Sequence, residues 1–122
     1  MKSPWISALR SVSLTVPDLA AAEIFYTQTW GLKIMAQAPG VVYLKGSGCD
    51  HHLLSLHEAA GTPQIRLVTL RARSQSALDE IAKATVSAGG VIERAGKASD
   101  PAGGQVLVIR DPDGRRIEIV HG

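Results

Sequence analysis

Asp111-Pro112-Asp113-Gly114-Arg115-Arg116-Ile117-Glu118-Ile119-Val120 reads as a tight turn feeding a strand. Pro112 presets φ, the aspartates can bond back to the backbone, and Gly114 takes a positive φ. Beyond the turn, Arg116, Glu118 and Val120 alternate with Ile117 and Ile119, so one face is apolar and the other carries a carboxylate. A carboxylate held in mid-strand with an apolar layer behind it suits a divalent metal. Glu118 is therefore a candidate ligand, and the rest of the chain must supply its partners.

The chain has 122 residues, enough for one domain with a real core but not for two independent ones. A hydrophobic share of 45% and a charged share of 20% are those of an ordinary globular protein. Net charge is +2, without a Lys/Arg run or interleaved aromatics, which argues against a nucleic-acid or anionic-membrane partner. No apolar stretch approaches ~20 residues, and Met1-Lys2-Ser3-Pro4-Trp5 lacks a signal-peptide core. The single cysteine, Cys49, has no partner for an internal disulfide, which fits a cytoplasmic location and a bystander thiol.

In chain order, residues 8–16 predict a strand, with Val12, Leu14 and Val16 on an apolar face and Ser11, Ser13 and Thr15 on a small polar one. Asp18 can cap a helix that places Leu19, Ala22, Phe25, Tyr26 and Trp30 on one side and closes at Gly31. Strands follow at 32–38, 41–45 and 51–58. The pattern then restarts. Residues 65–72 predict a strand, with Val68 and Leu70 on one face and Leu67, Thr69 and Arg71 on the other. Ser74 or Ser76 can cap a helix carrying Leu78, Ile81, Ala82 and Val86, ended by Gly89-Gly90. Residues 91–95 are strand-like, 97–104 form a loop, and 105–110 pairs with 116–120 across the Asp-Pro-Asp-Gly turn.

Strand, helix and three strands thus occur twice, at an offset of about 56 residues. The expected class is α+β. Two βαβββ repeats, at about 8–58 and 65–121 of a single domain, would form a cupped, eight-stranded mixed sheet with helices on its outer face. The concave face would be a ligand cleft floored by Ser11, Ser13, Thr15 and Thr69, with Arg116 also bordering it. A simply solvated face fits the pattern equally.

Taken alone, Glu118 reads as a surface carboxylate paired with Arg116 or Lys45. His51 and His52 follow Asp50, and neighbouring histidines on a strand point to opposite faces, so only one can enter the cup. If His52 does, Leu54 and Leu56 join it as walls, with Leu67. His52 is then a candidate general base or metal ligand, against a structural histidine. Arg66, Arg71, Arg110, Arg115 and Arg116 could clamp an anion, or be ordinary surface residues. No GxSxG, P-loop, GxGxxG, HExxH or CxxC is present, which removes the serine-hydrolase, nucleotide and zinc-finger readings.

Val12-Ser13-Leu14-Thr15-Val16-Pro17-Asp18-Leu19, then Phe25-Tyr26 and Trp30-Gly31-Leu32, resemble the opening of a vicinal-oxygen-chelate domain. That superfamily includes glyoxalase I, bleomycin-resistance proteins and extradiol dioxygenases. Asp111-Pro112-Asp113-Gly114 with Ile117-Glu118 is similar to its terminal hairpin, where the glutamate ligates metal. Asp50-His51-His52-Leu53-Leu54-Ser55-Leu56 resembles the fourth strand of extradiol dioxygenase domains. The resemblance gives the second His of that pair, His52, an acid/base role. It also puts the first ligand histidine at Ser11, the second near Leu67 and a tyrosine at or near Ile109.

Neither Ser nor Leu replaces an imidazole. The resemblance therefore implies a glyoxalase/dioxygenase-like domain with an incomplete metal site, acting as the non-catalytic, N-terminal-type domain of a ring-cleaving dioxygenase. No cofactor is expected, with Fe or Mn bound only if the site is completed elsewhere. One alternative is a metal-independent binder of a small aromatic ligand. Another is an active dioxygenase or glyoxalase-type lyase, taking an aromatic or aldehyde-derived substrate and completed by dimerisation. Expected partners are a second copy or a catalytic domain, through sheet edges that neighbours can cover.

Overall fold

A computed structural model describes residues 4–98 and 101–122. Its elements are β1 (Ile6–Val16), α1 (Leu19–Ile24) running into a π-turn (Phe25–Thr29), β2 (Lys33–Ala38), β3 (Val41–Lys45) and β4 (Leu54–Glu58). Then come β5 (Gln64–Ala72), α2 (Gln75–Ser87), β6 (Val91–Lys97), β7 (Gln105–Arg110) and β8 (Arg116–His121). The α+β class and the doubled βαβββ order are as expected. Two compact units result: a first of Ser11–Leu67, and a second of Val68–Gly122 together with Met1–Arg10.

In the first unit the hydrogen-bonded order is β2-β3-β4-β1. β2/β3 and β3/β4 are antiparallel, and β1/β4 is parallel with Val12 opposite Leu54 and Val16 opposite Glu58. Alternation sends Val12, Leu14, Val16, Val42, Leu44, Leu54 and Leu56 to one face, where Leu19, Ala22 and Tyr26 pack on them. Asp18 caps α1 by accepting the Ala21 N–H at 3.0 Å. The predicted helical face does not survive to its end, because the wider π-turn throws later residues out of phase. Phe25 and Trp30 are exposed, while Tyr26 keeps its place against the core.

The second unit repeats the plan in the order β5-β8-β7-β6, with β5/β8 parallel and the other pairs antiparallel. Ser74 caps α2 through the Ala77 N–H at 3.0 Å, and Leu78 and Ile81 sit on Leu70, Ala72, Leu107, Ile109, Ile117 and Ile119. Val86, expected on that face, is exposed. The leading part of β1 also belongs here: Trp5 and Ile6 pack against this core, the Arg73 N–H bonds the Trp5 carbonyl, and the Ser7 hydroxyl bonds the Arg71 carbonyl. On the opposite face Val106, Val108 and Val120 make a smaller apolar cluster.

The Asp-Pro-Asp-Gly turn is built as its residues dictate. Asp111 Oδ1 accepts the N–H groups of Asp113 (3.0 Å) and Arg115 (2.8 Å), and Gly114 has φ +85°. This brings β7 and β8 into register, with Val108 opposite Glu118.

Candidate functional site

Each unit turns one sheet face to its helix, and the other face holds the polar side chains. In the first unit the register lines up Ser13 on β1, Ser55 on β4 and Tyr43 on β3, with Thr15 opposite His57. Ser11, Ser13 and Ser55 are buried, and Thr15, Tyr43 and His57 are half-buried. His57 Nε2 and Ser55 Oγ are 3.1 Å apart. Arg66, itself exposed, donates from Nη1 to Ser13 Oγ at 3.2 Å. Burial, and secondarily the Arg66 charge, hold the His57 imidazole below its ordinary pKa, so its neutral form is favoured.

Three imidazoles surround the Tyr43 ring: His52 at 4.8 Å between centroids, and His51 and His57 each at 6.4 Å. His51 and His52 meet edge to face with their Nδ1 atoms 2.9 Å apart. Which of the two nitrogens donates depends on the tautomers of the rings.

His52 is 3% exposed and lies against Tyr43, but without the expected companions. Residues 50–53 lie outside any strand, with bends at 50, 51 and 53, before β4 begins at Leu54, so strand parity does not extend back to His52. Leu54 and Leu56 are accordingly corrected: they are not cleft walls but members of the core beneath α1, alternating with Ser55 and His57. Tyr43, Ser55 and the His57–Ser55 contact were not singled out by sequence reasoning. Period-two alternation places 43, 55 and 57 on definite faces, but only the strand register brings them together.

In the second unit, Thr69 sits opposite Glu118 and donates its hydroxyl to Glu118 Oε1 at 3.0 Å. Thr69 is buried and Glu118 half-buried. Leu67, buried, is on the same side of β5 as Thr69, opposite Leu70 and Ala72. Arg116 bonds Glu93, through Nε at 3.2 Å and Nη2 at 3.1 Å, and Arg110 Nε bonds the same carboxylate. The Arg116 hydrogen bond is the main reason the Glu93 carboxyl lies below its ordinary range, with both arginine charges adding to it. Arg110 and Arg116 face each other across β7/β8, and Glu93 bridges that like-charged pair. Arg115 pairs with Asp113 at 3.0 Å, so of the candidate anion clamps Arg110, Arg115 and Arg116 are committed to carboxylates.

A divalent metal of the kind considered for Glu118 needs several N or O donors converging on one point. Among the described residues no three of His, Cys, Asp or Glu are so gathered, and Thr69 already occupies Glu118 Oε1. No helix of the described residues is long and apolar enough to cross a membrane.

The sequence model of the Glyoxalase/Bleomycin resistance protein/Dioxygenase superfamily matches residues 8–119. No curated protein matches the chain. Among solved structures, it is similar to an Mn(II)-bound glyoxalase from Novosphingobium aromaticivorans (27% identity, TM-score 0.87, 94% of this chain and 38% of that one). It is also similar in fold to an extradiol ring-cleaving dioxygenase from B. fuscum (24%, TM-score 0.85, 96% and 33%). A third is homoprotocatechuate 2,3-dioxygenase from Arthrobacter globiformis (23%, TM-score 0.88, 97% and 37%). The chain spans roughly a third of the length of each.

Proposed function

The chain belongs to the glyoxalase/bleomycin resistance protein/dioxygenase superfamily, and on that premise we propose that it is a domain without a complete metal centre of its own. It serves as the non-catalytic partner of a catalytic domain of the ring-cleaving type, in a reducing, cytoplasmic setting that suits the exposed thiol of Cys49. The observation that carries this reading is the pair Ser11 and Leu67. They stand where the resemblance puts the two ligand histidines, and both are buried. A hydroxyl and an isobutyl group give no imidazole nitrogen to an ion, and a lone carboxylate does not hold one tightly. The Thr69–Glu118 hydrogen bond supports the same reading, since one carboxylate oxygen is already engaged from within the protein.

No catalytic step is assigned to a metal in this chain. The test is to incubate the purified chain with Fe(II) or Mn(II), remove loosely held ions by gel filtration and measure metal per chain. The expected result is far less than one ion per chain, together with no turnover of catechol by the chain alone. Stoichiometric, retained metal overturns the reading.

A further inference from the structure

We propose that the outer side of α1 and its π-turn is a contact surface between two copies of this chain. Ser11, Leu67 and Glu118 take no part in it, so it stands apart from the metal question. It lies on the helix side of the first unit, away from the polar sheet face and from the sheet edges.

Composition marks the place. The chain has two Trp, two Tyr and one Phe, and three of these five rings, Phe25, Tyr26 and Trp30, fall in one turn. Tyr26 packs on the core, and its ring stands edge-on to Phe25 at 5.1 Å and to Trp30 at 4.9 Å between centroids. The outer rings are thus held in place by an inner one, yet Trp30 is 61% exposed and Phe25 48%. Rings already fixed lose little freedom on contact, and Trp is foremost among the residues that carry binding energy. Ile24, also exposed, adjoins them. Exposed Ile34 lies on the same side, because its register partner Leu44 belongs to the core beneath α1.

The two helices hold equivalent places and finish their outer surfaces differently. α2 turns out Asp79, Glu80 and Lys83, with Glu80 paired to Lys83 and Asp79 accepting from Gln75, a face made for water. From Leu19 to Leu32 the only charge is the half-buried Glu23. Isolated exposed apolar residues are ordinary, but an uncharged surface built on clustered rings marks a protein contact.

Charge and shape select the occupant. In a two-fold contact each surface meets its own kind, so charged patches would bring like charges together. The chain carries a net charge of +2, and the outer side of α1 is a surface on which two copies can touch without that cost. Ala20, exposed, and Trp30 are equally far along the chain from Phe25. An axis at Phe25 with the two α1 segments antiparallel therefore seats each Trp30 on the other copy's Ala20, a large ring on a small residue. The four exposed apolar side chains present about 400 Å² per copy. That is about half of the ~800 Å² per partner in a standard interface, with uncharged Ala21, Gln28 and Gln37 as its rim.

The test is sedimentation velocity on the intact chain from about 1 µM to about 500 µM. A reversible monomer–dimer equilibrium is expected, closing at two copies. Raising NaCl from about 0.05 M to about 0.5 M should not weaken it, since the contact is apolar. Trp30→Ser should weaken the dimer by about tenfold or more, and at an exposed position the fold should survive. Ala20→Glu should do the same by placing a charge under the other copy's ring. An acidic side chain in the first turn of α1 favours the helix, so this variant separates lost contact from lost fold. Lys83→Ala, on the charged outer side of α2, should leave the equilibrium unchanged. The proposal is overturned if the chain stays monomeric throughout, if species grow past the dimer, or if Trp30→Ser and Ala20→Glu dimerise like the parent.

Discussion

The two units share one folding plan and spend their polar faces differently. In the second, the two carboxylates on the sheet face have partners beside them: Glu118 accepts from Thr69, and Glu93 holds Arg110 and Arg116. Around them lies the dry cluster of Val106, Val108 and Val120. In the first, the polar side chains are imidazoles, hydroxyls and a phenol, with Lys33, Lys45 and Arg66 as the charges. A repeated backbone constrains which residues share a face; it does not constrain what they are. The second unit's carboxylates are held within its own face, while among the described residues Lys33, Lys45 and Arg66 of the first have no carboxylate within ion-pair distance. That difference directs a search for ligand chemistry to the unit that lacks Glu118.

The largest expected effect tests whether the units are separate cores. Leu56 is 0% exposed and surrounded by Val12, Leu14, Val42, Leu44 and Leu54. Leu56→Ala should cost about 2–5 kcal/mol, the lost transfer energy plus the cavity left behind. Hydrogen exchange should show the loss of protection in β3, β4 and α1 first, with β7 and β8 retaining theirs until global unfolding. Equal loss in both units would mean that they behave as one cooperative core and that the comparison has no energetic meaning.

A smaller pair of effects sharpens the contrast between the faces. Thr69→Val keeps the shape and removes the buried hydroxyl that donates to Glu118, so the half-buried carboxylate loses a charge-assisted bond. The expected cost is about 1–2 kcal/mol. Ser55→Ala removes the hydroxyl from His57, whose neutral ring is half-buried and can turn to water, and should cost about 0.5–1 kcal/mol. Urea denaturation of the two variants checks the order. A reversal, with Ser55→Ala the costlier, would make the first unit's face the more tightly closed one.

Much of this was legible in the sequence, and the failures share a cause. The alternation of Val12, Leu14 and Val16 with Ser11, Ser13 and Thr15 fixed the faces of β1 because period two is a local property of a strand. The Asp-Pro-Asp-Gly turn was equally local, since Asp111 bonds residues only two and four places on. His52, Leu54 and Leu56 were misjoined because the bends at residues 50, 51 and 53 break the parity that was carried through them. The exposure of Phe25 and Trp30 follows from a π-turn, which no spacing rule for α-helices contains. The clusters around Tyr43 and Glu93 were out of reach for a different reason. Their members come from several strands, and only register, including the irregularity between Ile92 and Arg94, brings them side by side.

The smallest expected signal is a slope in stability with pH, and it separates the units by window. His57 has a folded pKa below its ordinary value of 6.5, through burial first and Arg66 second. In the window between that lowered value and 6.5 the unfolded chain binds more protons at this site than the folded one. The contribution is thus fully present above 6.5 and is lost as pH falls toward the folded value. Glu93, lowered from 4.5 chiefly by the Arg116 hydrogen bond, keeps its contribution above that pH and loses it only as pH falls through its own folded value. The first unit should therefore begin to lose stability from mild acidity, and the second only in stronger acid. Denaturant midpoints measured from pH 7.5 to 3.5 check this, with His57→Gln flattening the upper window and Glu93→Gln the lower. Arg66→Ala should flatten the upper window only in part, because burial, the larger cause, remains. If His57→Gln leaves the slope near pH 6 unchanged, the mild-acid loss of stability does not come from the His57 imidazole and the contrast in pH window between the units fails.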